Sequence, residues 1–116
     1  MFVLEDKMKL AIIGSRSLTN LPLDQYVPED TEEIVSGGAV GADTCAAEYA
    51  RRMGLKLTKF LPQYERYGRA APIVRNKEIV DYADRILAFW DGTSKGTQSV
   101  IRYAQEKGKP CKVILC

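Results

Sequence analysis

The 116-residue sequence contains no histidine and only three cysteines, Cys45, Cys111 and Cys116. Without histidine there is no Ser-His or Cys-His nucleophile pair, and the commonest general base is missing as well. The odd number and wide spacing of the cysteines match neither a disulfide framework nor the close pairs of a zinc site. Histidine-based nucleophilic catalysis is therefore excluded, and a bound metal is not expected.

The sequence also has little excess charge and no long apolar run. Its formal net charge is +2, which gives no general reason to expect a polyanionic partner such as nucleic acid. No segment approaches the 18 or so uninterrupted apolar residues of a membrane span, and the short apolar start is followed at once by Glu5 and Asp6. We therefore expect a cytoplasmic protein without membrane contact, folded as one domain over residues 1–116.

Short β-like runs alternate with helical ones along the chain. The predicted strands are Leu10–Ile13, Glu33–Val35, Leu55–Leu61, Ile86–Trp90 and Val113–Leu115. Three amphipathic helices lie between them, marked by the stripes Ala46/Tyr49/Ala50/Met53, Asn76/Ile79/Val80/Ala83 and Thr97/Ile101/Ala104/Gly108. Residues 20–30 contain Pro22 and Pro28 and so hold at most a short helix. Repeated β-α units predict a Rossmann-like, three-layer α/β domain, with about five parallel strands and helices on both faces.

Glycine-bearing turns follow three of these strands, at Gly14–Arg16, Ser36–Asp43 and Asp91–Thr97. The carboxyl ends of parallel strands share one edge of the sheet, which is where open α/β folds bind ligands. Glycine lets the backbone approach a phosphate, and the next helix presents free N–H groups to it. Each loop alone is better explained as a tight strand-to-helix turn, but three loops converging on one edge favour a binding site. The spacing matches neither GxGxxG nor a Walker motif, which disfavours a dehydrogenase or a P-loop NTPase.

Five motifs also carry a family resemblance: GSR at 14–16, SGGAVGAD at 36–43, YGRAAPIVRNKEIV at 67–80, DGTSKGT at 91–97 and the closing AQEKGKPCKVI. In these the chain resembles the SLOG superfamily, named for the SMF/DprA and LOG proteins, and within it the YspA-like (YAcAr) family. The resemblance covers nearly the whole chain, although residues 17–30 look shorter than the first helix of the family. It implies a nucleotide-binding Rossmann-like sheet and, because SLOG relatives often pair, a homodimer.

SLOG branches include nucleotide-processing enzymes, ligand sensors and single-stranded DNA binders. The LOG phosphoribohydrolases carry PGGxGTxxE, and in this chain Val100 stands where the glutamate of that motif would be. The LOG Arg-Lys pair is altered as well, to Arg75-Asn76. We therefore expect a binding or sensing module for a nucleotide derivative, with no firmly implied cofactor. The alternatives are an N-glycosidic hydrolase, with Asp43 or Glu78 as catalytic candidates, and a single-stranded nucleic-acid binder.

The candidate ligand-binding residues come from the three loops and from the arginine motif. They are Gly14, Ser15, Arg16, Gly37, Gly38, Ala39, Gly41, Ala42, Asp43, Arg75, Asn76, Asp91, Gly92, Ser94, Gly96 and Thr97. Asp43 is explained equally well as a helix cap or as a ribose or catalytic carboxylate. Asn76 could bind a base or hold a neighbouring loop, and Arg75 could bind phosphate or be a solvated surface residue. The motif favours binding for both.

Three aromatic residues and one basic cluster have open interpretations. Tyr64 and Tyr67, in a predicted long loop, could stack on a base or anchor the loop, while Trp90 fits a pocket wall or the core. The cluster of Arg66, Arg69, Arg75 and Lys77 could steer phosphate or form a solvated face. Cys45, near a predicted helix start, is interpreted as a small packing residue.

Overall fold

The computed structural model describes residues 8–38 and 41–116, which form one parallel sheet flanked by helices. The elements are β1 (Met8–Gly14), α1 (Leu23–Tyr26), β2 (Thr31–Ser36), α2 (Ala42–Met53), β3 (Lys56–Lys59), α3 (Tyr64–Tyr67), α4 (Ala71–Tyr82), β4 (Arg85–Trp90), α5 (Lys95–Glu106) and β5 (Cys111–Leu115). A single 3-10 turn precedes α4. The strand order is β3-β2-β1-β4-β5, and every neighbouring pair is parallel. This arrangement confirms the predicted three-layer α/β class.

Apolar side chains alternate along the strands and build a core on each face of the sheet. On one face Ile12 packs with Leu23 of α1 and Tyr49 of α2. On the other face Ala11 packs with residues of α4 and α5, including Ile79. The central strand β1 is therefore covered on both sides, which explains why its sequence is a nearly continuous apolar run rather than an alternating one.

All predicted strands and helices are present, but some of their bounds and some of the buried helix residues differ from the prediction. The third strand, Lys56–Lys59, is shorter than predicted at both ends. It begins after Leu55 because Gly54 ends α2 in a left-handed conformation and the Leu55 N–H still bonds to the carbonyl of Ala50. The prediction that Met53 lies on the buried stripe of α2 is wrong, since its side chain is 51% exposed. A straight helix drifts relative to a seven-residue repeat, which carries the last turn of a stripe away from the sheet.

In α5 the stripe also differs from the predicted one. Thr97, Val100 and Ala104 are buried, whereas Ile101 is only half-buried. The short helix expected within residues 20–30 is present as α1. None of the helices in residues 8–38 and 41–116 is both long and apolar enough to cross a membrane.

Candidate functional site

A cleft of about 530 Å³ opens at the carboxyl edge of the sheet, between the loops that follow β1 and β4. From these neighbouring strands the chain leads in opposite directions, to β2 on one side and to β5 on the other. Ligands of open α/β sheets bind where the strand order reverses in this way. The volume lies in the range of small-molecule sites, so a ligand of nucleotide size fits.

Most of the predicted binding residues line this cleft. They are Gly14, Arg16, Gly37, Asp43, Arg75, Asn76, Asp91, Ser94, Gly96 and Thr97. They come from all three glycine loops and from α4, which the fold brings to the same edge of the sheet.

The N-terminus of α5 forms one wall of the cleft. Ser94 caps the helix, because its Oγ accepts a hydrogen bond from the Thr97 N–H at 3.4 Å. Trp90 supports this cap by donating from Nε1 to the carbonyl oxygen of Ser94 at 3.0 Å. The N–H groups of Lys95 and Gly96 lie in the first turn, where a helix supplies no backbone acceptor. With the positive end of the helix dipole, they make this wall attractive to an anion.

Asp91 organises the loop that leads into α5. Its Oδ1 accepts hydrogen bonds from the Ser94 N–H at 2.8 Å and the Thr93 N–H at 2.9 Å. The Thr93 hydroxyl also donates to Oδ1, and the Ser17 hydroxyl donates to Oδ2. The two backbone N–H groups, Ser94 first, lower the pKa of Asp91 to about 2. Asp91 is therefore ionised near neutral pH, and its charge is held by the loop.

Replacing Asp91 with Asn should remove part of the acid sensitivity of the fold. The folded-state pKa of about 2 lies below the unfolded value of about 3.9. Ionised Asp91 therefore stabilises the folded protein above about pH 4, and this stabilisation is lost as the pH falls toward 2. Thermal midpoints should be higher for the wild type than for Asp91→Asn at pH 7, and the difference should close at pH 2.

The exposed Glu106→Gln variant provides the baseline for removal of one carboxylate. A gap between wild type and Asp91→Asn that stays constant from pH 7 to pH 2 would contradict this role for Asp91.

Asp43, Arg75 and Asn76 together hold the loop that follows β2. Asp43 Oδ1 accepts a hydrogen bond from the Gly37 N–H at 3.2 Å. Arg75 donates from Nη1 to the Gly37 carbonyl oxygen at 2.8 Å and from Nε to Asn76 Oδ1 at 2.9 Å. Arg75 is thus not a solvated surface residue, and Asn76 orients it. The hydrogen bonds of Arg75 to the described residues use Nε and Nη1.

Two positive and two negative side chains line the cleft, and they differ in their bonds to the rest of the protein. Asp43 and Asp91 accept hydrogen bonds from loop backbone. Arg16 is exposed, and neither it nor Arg75 forms an ion pair with any residue in the described ranges. The charges of the lining side chains therefore balance, and the arginines supply the cleft with positively charged N–H donors.

The remaining predicted binding residues lie outside the cleft lining. Ser15 is buried and its Oγ accepts a hydrogen bond from the Asp91 N–H at 3.2 Å, which ties the first loop to the third. Ala42 is buried beside Gly14. Gly38, Gly41 and Gly92 have positive φ angles and serve the turns. Ala39 lies outside the described residues.

Of the catalytic candidates and aromatic residues, some line the cleft and others do not. Asp43 lines the cleft, whereas Glu78 does not. Tyr64, Tyr67 and Trp90 do not line it either, and the expected loop around the tyrosines is instead α3 followed by a 3-10 turn. Of the predicted basic cluster, only Arg75 reaches the cleft.

Several lining residues were missed by sequence reasoning: Ile13, Ser17, Pro72, Ile79 and Val100. Ile13, Ile79 and Val100 form an apolar wall next to the polar loops. Ile13 lies in a predicted strand and Ile79 in a predicted helical stripe, which predict burial but not which members reach the end of the sheet. Val100 lies outside the stripe predicted for α5.

No family model and no solved structure matches the chain. Over 83 residues the chain is 41% identical to the gene 61 protein of Mycobacterium phage D29. The match covers 66% of this chain and 66% of the phage protein, slightly less than two thirds of its length. The name of that protein states no activity, so the function has to be argued from the cleft.

Proposed function

We propose that the cleft binds a nucleotide or a nucleotide-derived molecule through its phosphate, and that the protein is a ligand-binding or sensing module. The observation that carries this proposal is the N-terminus of α5, which lines the cleft at Gly96 with its first-turn N–H groups. Arg16 and Arg75 line the same cleft. A capped helix start with two arginines suits a phosphate. The helix supplies backbone N–H donors, and each guanidinium supplies several N–H donors in one plane.

The apolar wall supports a nucleotide rather than free phosphate. Ile13, Ile79 and Val100 give the cleft a surface that inorganic phosphate would leave in contact with water. A base or sugar next to the phosphate would cover it, and small-molecule sites usually combine such an apolar lining with a few polar groups. The resemblance to the SLOG superfamily leads to the same ligand class.

Two features of the cleft favour binding over hydrolysis. Val100, at the position of the LOG glutamate, is buried and lines the cleft, so an apolar side chain stands where that acid would act. Asp91, with a pKa of about 2, is a poor proton donor near neutral pH. Asp43 also lines the cleft and keeps an N-glycosidic hydrolase as the second candidate.

A thermal-shift screen tests the proposal directly. The panel consists of nucleoside mono- and diphosphates, cyclic nucleotides, NAD and ADP-ribose, with the phosphate-free nucleosides as controls. A ligand at about 100 times its dissociation constant adds about 2.7 kcal/mol of stability, which raises the midpoint of a small domain by several degrees. We expect a shift with at least one phosphate-bearing compound and none with its nucleoside. A panel without any shift, or an equal shift with the nucleoside, would contradict phosphate binding.

Incubation with nucleoside monophosphates distinguishes binding from hydrolysis. The sensing module should release no free base, as measured by chromatography after prolonged incubation. Release of base by the wild type but not by Asp43→Asn would overturn the sensing module in favour of the hydrolase.

A further inference from the structure

The two edges of the sheet carry different side chains. In the sheet formed by the described residues, β3 and β5 are the edge strands. β3 begins and ends with the exposed lysines Lys56 and Lys59, a common protection against edge-to-edge pairing. β5 has the sequence Cys-Lys-Val-Ile-Leu, with one exposed lysine, Lys112, and with Val113 and Leu115 39% and 71% exposed. The β5 edge therefore lacks the lysine pair that flanks β3.

The hydrogen bonds between β4 and β5 show which backbone groups face outward. The Ile86 N–H donates to the carbonyl oxygen of Pro110, and the Cys116 N–H donates to that of Trp90, both at 2.9 Å. Because the residues of a parallel strand alternate in the direction of their backbone groups, Lys112 and Ile114 bond toward β4. The N–H and C=O groups of Cys111, Val113 and Leu115 consequently face away from the sheet.

We propose that β5 pairs with β5 of a second copy of this chain, antiparallel and centred on Val113. In this register Val113 lies opposite Val113, and Cys111 lies opposite Leu115. These are the residues whose backbone groups face outward, so each opposed pair can exchange two N–H···O=C bonds. A shift of one residue would place inward-facing groups opposite outward-facing ones. The strand is therefore complementary to itself in its backbone.

The side chains fit the same register. Cys111, Val113 and Leu115 share one face of the strand, so a two-fold axis at Val113 builds a continuous apolar row across the pair. Lys112, the one charged residue of β5, lies opposite Ile114 and not opposite its own copy. Its Nζ lies 5.4 Å from the centroid of the Tyr26 ring, which holds the charge over its own chain. No like charges oppose each other in this pairing.

Sedimentation of the full chain over a concentration series up to about 1 mM tests the pairing, since a micromolar dissociation constant would make the protein almost fully dimeric there. We expect a mass rising to twice the 13.0 kDa of the chain. Val113→Lys places two lysines opposite each other and should keep the protein monomeric. Gln98→Lys adds the same charge at an exposed position on α5 and should dimerise like the wild type. A wild type that stays monomeric would overturn self-pairing and leave the edge to a strand of another protein.

Amide hydrogen exchange identifies the surface used. Raising the concentration should slow exchange at the N–H groups of Cys111, Val113 and Leu115 by at least about tenfold, while Lys112 and Ile114 change little. Val113→Pro removes one outward N–H without removing a bond to β4, which an edge strand tolerates, and it should abolish the slowing. A dimer without this alternating protection, or one that survives both Val113 variants, would show that another surface is used.

Discussion

Gly96→Val is expected to abolish nucleotide binding while the protein remains as stable as the wild type. Gly96 lines the cleft in the first turn of α5, and a Cβ built there meets no other atom within 4 Å. Its φ is not positive, so a side chain causes no backbone strain, and valine is no worse than glycine in a helix. The added methyl groups would occupy the space where a phosphate meets the helix N-terminus. We expect affinity to fall at least about 100-fold, equivalent to about 2.7 kcal/mol.

The measurement is a calorimetric or thermal-shift titration with the nucleotide identified by the screen. Ser99→Val introduces the same side chain at an exposed position on the same helix, outside the cleft, and should bind like the wild type. Unchanged affinity in a folded Gly96→Val protein would mean that the anion does not bind at this helix start.

Gly41→Ala should cost the fold about 3 kcal/mol, a large part of the 5–15 kcal/mol typical of a small domain. Gly41 precedes α2 with φ 81° and ψ −114°, a backbone conformation that residues other than glycine rarely adopt. An added Cβ would also lie 2.9 Å from the carbonyl oxygen of Leu18 and 3.0 Å from that of Arg16. Neither is the mobile end of a side chain, so the loop after β1 would have to move. Urea unfolding should show the loss as a lower midpoint at unchanged slope.

Gly54→Ala is the reference for an ordinary left-handed position where an added Cβ meets no other atom. Gly54 also has a positive φ, 68°, but a Cβ there meets nothing within 4 Å. It should cost only about 1 kcal/mol, the usual penalty for a left-handed alanine. Equal losses in the two variants would show that neither the Gly41 conformation nor the close approach of the loop adds to the cost of the substitution.

The sequence predicts the sheet and its carboxyl edge well, because both follow from local periodicity and from the rule that parallel strands end together. Apolar runs identified the strand that became β1, and the glycine turns identified the loops that line the cleft. The sequence does not distinguish the structural roles of the individual glycines. Gly41 and Gly96 look alike in the sequence, yet the backbone of another loop leaves no room for a side chain at Gly41, whereas the fold would accept one at Gly96.

Two further features depend on tertiary contacts and so could not be predicted. Arg75 bonds to the carbonyl of Gly37, 38 residues away, and no local pattern signals such a distant partner. Whether Ile79 and Val100 line the cleft depends on where α4 and α5 cross the end of the sheet. The predicted periodicity indicates burial of Ile79 alone, since Val100 lies outside the stripe predicted for α5.

The link between Ser15 and Asp91 has a consequence for the speed of recognition. It fastens the loop after β1 to the loop after β4, and the Ser17 hydroxyl adds a second contact to Asp91 Oδ2 at 3.3 Å. Hydrogen bonds within the protein thus join the two sides of the strand reversal. We expect the proposed ligand to lose little affinity to ordering these two loops, because hydrogen bonds within the protein already join them. Association there would be limited by encounter and orientation, and not by a slow closing motion.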